Sequence, residues 1–209
     1  MKPKLLTIFF AILFFHVFTH CKTDVLHEQE KQLIMNGNSD EPMKLFTINV
    51  ETDSLMLRQK ARKIKKREIE HEDIKLLKKR MLATVTDSTN LGVGIAAPQV
   101  GISLSMICVQ RFDKPNEPFE IYYNPVIVHY GDSINSGLEG CLSIPGYRGK
   151  VDRSQNIVVS YLDSLGKMQK ESINDFTAVI FQHEIDHIEG VFYFDHIYNG
   201  FDALNKVEL

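Results

Sequence analysis

An α+β fold is predicted by the order of three blocks in the chain. A helical period runs through residues 74–85, strand-like segments follow between about 102 and 171, and a second helical period ends at Gly190. Helices and strands kept in separate blocks, without alternation, favour α+β over a βαβ fold. The chain has 209 residues, 44% apolar and 24% charged, enough for one domain with a core of its own.

The first helix is read from "DIKLLKKRMLATV". Ile74, Leu77, Met81 and Val85 recur at spacings of three and four and make one apolar face. The basic residues lie mostly off that face, as on a solvated surface. After Gly92 the texture changes. "ISLSMICVQ", "EIYYNPVIVHY" and "QNIVVSYLD" are rich in β-branched and aromatic residues and bounded by Gly, Pro, Asn and Asp, which predicts strands. "SLG" at 164–166 predicts a hairpin into a further strand near Met168–Glu171. "INDFTAVIFQHEIDHIEG" has helical spacing, with Asn174 or Asp175 as N-cap and Gly190 as stop.

The N-terminus stands apart. Lys2 and Lys4 precede an apolar run from Leu5 to Phe18, the pattern of a secretory signal or short membrane anchor over residues 1–21. Cys21 closes the run as in a bacterial lipoprotein, although His20 stands where a small residue is favoured. The two lysines favour the N-terminus inside and the domain outside. Residues 22–43 are polar and include "NGNS", so a flexible tether is expected there, with the domain spanning 44–209. Net charge is −3, and the basic residues fall mainly in one segment, so nucleic acid is not an expected partner. A monomer is expected. Three cysteines make no disulfide framework, and Cys108, inside an apolar run, reads as a small buried hydrophobe.

"GVGIAA" at 92–97 fits a dinucleotide fingerprint, but Pro98 and Gly101 leave no room for the helix it must open. The informative stretch is "QHEIDHIEG". On a helix, His183 and His187 lie one turn apart on one face and suit a single metal ion, with Glu184 beside them as candidate general base. The third ligand is chosen by elimination. Tyr193 stands where a metzincin has histidine, Glu208 sits at the chain end, and Asp195 and His196 lie past the helix stop. Cys141, in the glycine-flanked "EGCLSIPG", completes a Cys-His-His set with a fourth position open. One turn and two turns before His183, Val179 and Phe176 share its helix face. They join Val93 as candidates for an apolar substrate pocket, with Gly94 offering backbone.

"GVGIAAPQVG", "EGCLSIPG" and "QHEIDHIEG" resemble the three signature motifs of peptide deformylases, in the family's order and spacing. "LRQKA" (57–61), "RGKVDR" (148–153) and "GVFYFD" (190–195) also match their surroundings, and the likeness covers about Lys44 to Ile197. Ile188 and Ser154 depart from the usual Leu and Pro, and the N-terminal signal departs from a family that usually works in the cytosol. The resemblance implies antiparallel or mixed sheets packed around a central C-terminal helix. It implies a metal-activated water that attacks the formyl group of N-formylmethionyl peptides. Fe²⁺ is the implied ion, and the donor set also suits Zn²⁺. It further implies oxyanion donors at the Gln99 amide and the Leu142 backbone N–H, with Glu139 and Arg148 as a supporting pair. An exported amidase or protease built on the same site is the alternative.

Overall fold

The computed structural model describes residues 25–90 and 92–207. The expected signal segment and Cys21 lie outside them. Among the described residues no helix is long and apolar enough to cross a membrane.

Three helices come first: α1 (Glu28–Met35), α2 (Glu51–Leu57) and α3 (Glu72–Thr86). Strands β1 (Gly94–Ala96), β2 (Met106–Gln110), β3 (Phe119–Tyr130), β4 (Ile134–Cys141), β5 (Ile144–Ser154), β6 (Asn156–Leu162) and β7 (Met168–Asn174) follow. Then come α4 (Asp175–Glu189) and a short β8 (Asn205–Lys206). One sheet has the order β1-β2-β3-β6-β7 and the other β4-β5-β8, with antiparallel pairing throughout. The expected α+β class holds.

The five-stranded sheet is covered on both faces. Met106 and Cys108 of β2 pack with Ile74, Leu77, Met81 and Val85 of α3. Ile107 and Val109 point the other way, to Ala178, Phe181, Ile185 and Ile188 of α4. Burial on both sides explains why this strand reads as a continuous apolar run without alternation. The thiol of Cys108 is buried, as expected, and that burial pushes its pKa up. A third cluster, with Leu57, Ile144, Val151, Phe192 and Tyr193, fills the space beside the smaller sheet.

Helix α4 ends where the sequence places its stop. Gly190 is left-handed, at φ 76°, and a Cβ there would clash with the Arg58 carbonyl oxygen. Its start differs in detail. Asn174 is the N-cap residue, yet its side chain makes no cap bond. Its Oδ1 accepts instead from Asn156 Nδ2 at 2.8 Å.

The region expected as a flexible tether needs correction. Val25, Leu26, Ile34 and Met43 are buried, and α1 packs on α3. Buried Glu30 accepts from the Ser103 N–H at 2.8 Å and the His27 N–H at 2.9 Å. Arg80, also buried, donates to the carbonyls of Leu33, Ile34, Glu41 and Pro42. Polar composition hid these contacts, because a few apolar anchors and one arginine from α3 hold the segment.

A second buried arginine gives a pH prediction. Arg111 donates to Asp113, Glu171 and Tyr122. The bond from Arg111 lowers the Asp113 pKa. For Glu171, burial acts upward, but the bond from Arg111, the charges of Arg111 and Lys114 and the bond from Tyr161 together outweigh it. Depressed carboxylate pKa values contribute stability above the unfolded values of about 4, and it is lost as pH falls through the folded values. The urea midpoint is expected to fall below about pH 4. A midpoint that stays flat to about pH 3 would rule this network out as a source of acid sensitivity.

Candidate metal centre and cleft

Helix geometry sets two of the three candidate ligands. His183 and His187 are one turn apart on α4, with ring centroids 5.0 Å apart. Cys141 enters from the end of β4, where Cys141 pairs with Ile144 after a register shift at Gly140. Its Sγ lies 3.1 Å from His187 Nε2. One ligand atom from each of Cys141, His183 and His187 lies within 4.8 Å of the others, a span that one tetrahedral ion bridges.

The surrounding groups fit such an ion. His183 Nδ1 sits 2.8 Å from Glu139 Oε2. A carboxylate on one ring nitrogen fixes the tautomer and leaves the other nitrogen's lone pair for a metal. Burial holds the His187 pKa well below its ordinary value, so its imidazole is neutral, as a ligand must be. The Ser143 N–H donates to Cys141 Sγ at 3.4 Å.

Glu184 is buried beside this cluster, and its Oε2 has no hydrogen-bond partner among the described residues. Burial pushes its pKa up to about 7, with His183 pulling it down and Glu139 pushing it up. The carboxyl fits because residue 94 is glycine: a Cβ there would lie 2.5 Å from Glu184 Oε1 and 2.8 Å from Ile180 Cγ2. Gly94→Ala is therefore expected to displace the Glu184 carboxyl, the candidate base, and cut turnover sharply, while stability falls by only about 1–3 kcal/mol. Wild-type turnover with an unchanged melting midpoint would refute that assignment.

Gln99 is oriented from both ends. The Ala96 N–H donates to its Oε1 at 2.8 Å. Its Nε2 faces Ser143 Oγ at 3.3 Å and Cys141 Sγ at 3.6 Å. The amide hydrogens thus point at the ligand cluster.

Gln99, Glu139, Cys141, His183 and Glu184 line one cleft of about 1010 Å³. Val93, Gly94, Leu142, Phe176 and Val179 line it, as does Arg148. Phe176 is half exposed and leans on Phe112, with ring centroids 5.3 Å apart. Ile180, Leu45 and Thr47 also line the cleft and were not anticipated. Ile180 follows Val179 and was open to the same helix-face argument, whereas Leu45 and Thr47 carry no local signal.

One expected pair is wrong. Glu139 is held by Arg153, not Arg148. Arg153 Nε and Nη2 donate to its two oxygens at 2.8 and 3.0 Å. The reason is strand register. Glu139 lies opposite Gly149, so Gly149, Val151 and Arg153 share its face of the hairpin, while Arg148 points the other way and is exposed. Burial raises the Glu139 pKa, but bonds from His183 and Arg153 outweigh it and hold the group at about 2.

Comparison with known proteins places this geometry in context. Residues 44–200 match the family described as "Polypeptide deformylase". "Peptide deformylase 2" of Nostoc sp. is 39% identical over 158 residues, covering 73% of this chain and 86% of that relative. "Peptide deformylase" of Synechocystis sp. is 39% identical over 145 residues, covering 69% and 75%. The Met-Ala-Ser-bound crystal structure of a class I type b peptide deformylase from Acinetobacter baumannii superposes with a TM-score of 0.68 at 32% identity. It covers 76% of this chain and 99% of that one.

Proposed function

The chain belongs to the polypeptide deformylase family and is a metal-dependent hydrolase that removes the formyl group from N-formylmethionyl peptides, and we propose how its residues divide that work. Cys141, His183 and His187 would hold the ion. A bound divalent ion supplies Lewis acidity and brings the pKa of a water toward neutrality.

Glu184 takes a proton from the attacking water and passes it to the departing amine nitrogen. Its burial and its unpartnered oxygen beside the ligand cluster are the observation that carries this role. Gln99 Nε2 and the Leu142 backbone N–H donate to the oxyanion of the tetrahedral species. The orientation of the Gln99 amide, fixed by the Ala96 N–H, supports its part. Val93, Phe176, Val179 and Ile180 receive the methionine side chain, and Gly94 offers backbone to the peptide. Fe²⁺ is the proposed native ion. Zinc has the higher intrinsic affinity for such a site, so metal analysis of anaerobically purified protein decides between them.

The reaction is tested with three substrates. Formyl-Met-Ala is expected to be cleaved about a hundredfold faster than acetyl-Met-Ala, the size of discrimination that one extra carbon on the reacting group typically brings. An internal peptide bond should remain intact. Comparable cleavage of the acetyl or internal bond would favour the amidase or protease reading. The apolar run Leu5–Phe18 behind Lys2 and Lys4 supports membrane association through the N-terminus, which fractionation with protease accessibility tests.

A further inference from the structure

The candidate ligand His183 is the inner end of a chain of hydrogen bonds that runs to the protein surface. Glu139 Oε2 lies against His183 Nδ1 at 2.8 Å and also accepts from Arg153 Nη2 at 3.0 Å. The guanidinium is loaded at its other end as well, where Nη1 donates to Asp186 Oδ2 at 2.7 Å. That same oxygen lies 2.8 Å from His196 Nε2. An ionised carboxylate only accepts, so the His196 nitrogen is the donor.

Exposure rises outward from the buried Arg153–Glu139 pair. The side chains of Arg153 and Glu139 are 5% and 9% exposed, Asp186 is 19% and His196 is 40%. Asp186 is thus partly open to water, and the oxygen that accepts from Arg153 is also the one that His196 contacts. His196 is itself set in place. It ends the 3-10 turn Tyr193–His196, and the neighbouring Asp195 is held by the Phe192 N–H at 2.8 Å and by Arg58.

We propose that Asp186 and His196 are a positioning pair for the metal site, acting on His183 through Arg153 and Glu139. With both ends of the Arg153 fork occupied, the guanidinium cannot turn, so the Glu139 oxygens and the His183 ring stay aimed. Neither residue lines the cleft. The proposal rests on the reading of Cys141, His183 and His187 as ligands, and its readout is metal retention.

The test uses full-length protein loaded with Co²⁺, whose spectrum reports the thiolate-imidazole ligand set, and follows its loss to a chelator. Removing a group that directly orients a metal ligand typically costs about 10- to 100-fold in affinity. His196 acts from further out, so His196→Ala is expected to release cobalt about fivefold faster, at an unchanged melting midpoint. Two further variants separate this role from general packing. A glutamine amide nitrogen falls near the place of a histidine Nε2 and an asparagine's near Nδ1. His196→Gln should therefore restore retention, and His196→Asn should behave like alanine. Equal release from wild type and His196→Ala, or equal rescue by Gln and Asn, would overturn the positioning role alone. A wild-type protein that takes up no cobalt would overturn the ligand reading together with it.

Discussion

Replacing Glu184 by glutamine is expected to leave the metal bound and lower kcat about a thousandfold, with a small change in KM. The side chain keeps its shape, so the neighbouring ligands are undisturbed. What is lost is the ability to take and return a proton. Among the described residues of the cleft, the carboxyl is also the acidic group whose burial pushes it up to about 7. The positive charge of a bound ion lowers that value, which favours the ionised base at the start of the cycle. Turnover and metal content measured on the same preparation check the expectation. Near-wild-type turnover would remove Glu184 from the mechanism.

Replacing Arg153 by alanine is expected to have the largest effect on stability. Breaking a buried ion pair by removing one partner typically costs about 3–5 kcal/mol, because the other charge is stranded. Here the stranded groups are Glu139, buried and doubly bonded to the arginine, and Asp186. Metal affinity should also drop about 10- to 100-fold, since Glu139 no longer aims His183. Arg148→Ala is the control. It sits on the opposite face of β5 and is exposed, so its effect on stability should stay within about 0.5 kcal/mol. Urea denaturation and metal titration of the two variants decide the matter. Similar losses for both would mean that the strand register does not govern the site.

These expectations show how far the sequence could be read. The i, i+4 histidines, the neighbouring glutamate, the α3 period and the Gly190 stop are local patterns, and each is in its expected place. Cys141 was reached by elimination, and it meets the two histidines. The hairpin that carries it was not anticipated as strands. "INSGLEGC" is polar and glycine-rich, without the β-branched alternation that marks a half-buried strand, and its pairing with β5 supplies what its composition does not. Choosing Arg153 over Arg148 required knowing that Glu139 faces Gly149, a non-local fact. The docking of residues 25–43 was invisible for a related reason. Its main partner, Arg80, lies on a helix whose other basic residues are mostly solvated.

A single ion on Cys141, His183 and His187 is proposed to drive formyl hydrolysis. Adding Co²⁺ stepwise to metal-stripped protein, while following formyl-Met-Ala turnover, tests it most directly. Activity is expected to rise in proportion to bound cobalt and to level off at one equivalent, with Cys141→Ala gaining none. Full turnover by the stripped protein, or cobalt-dependent turnover that survives loss of Cys141, would contradict it.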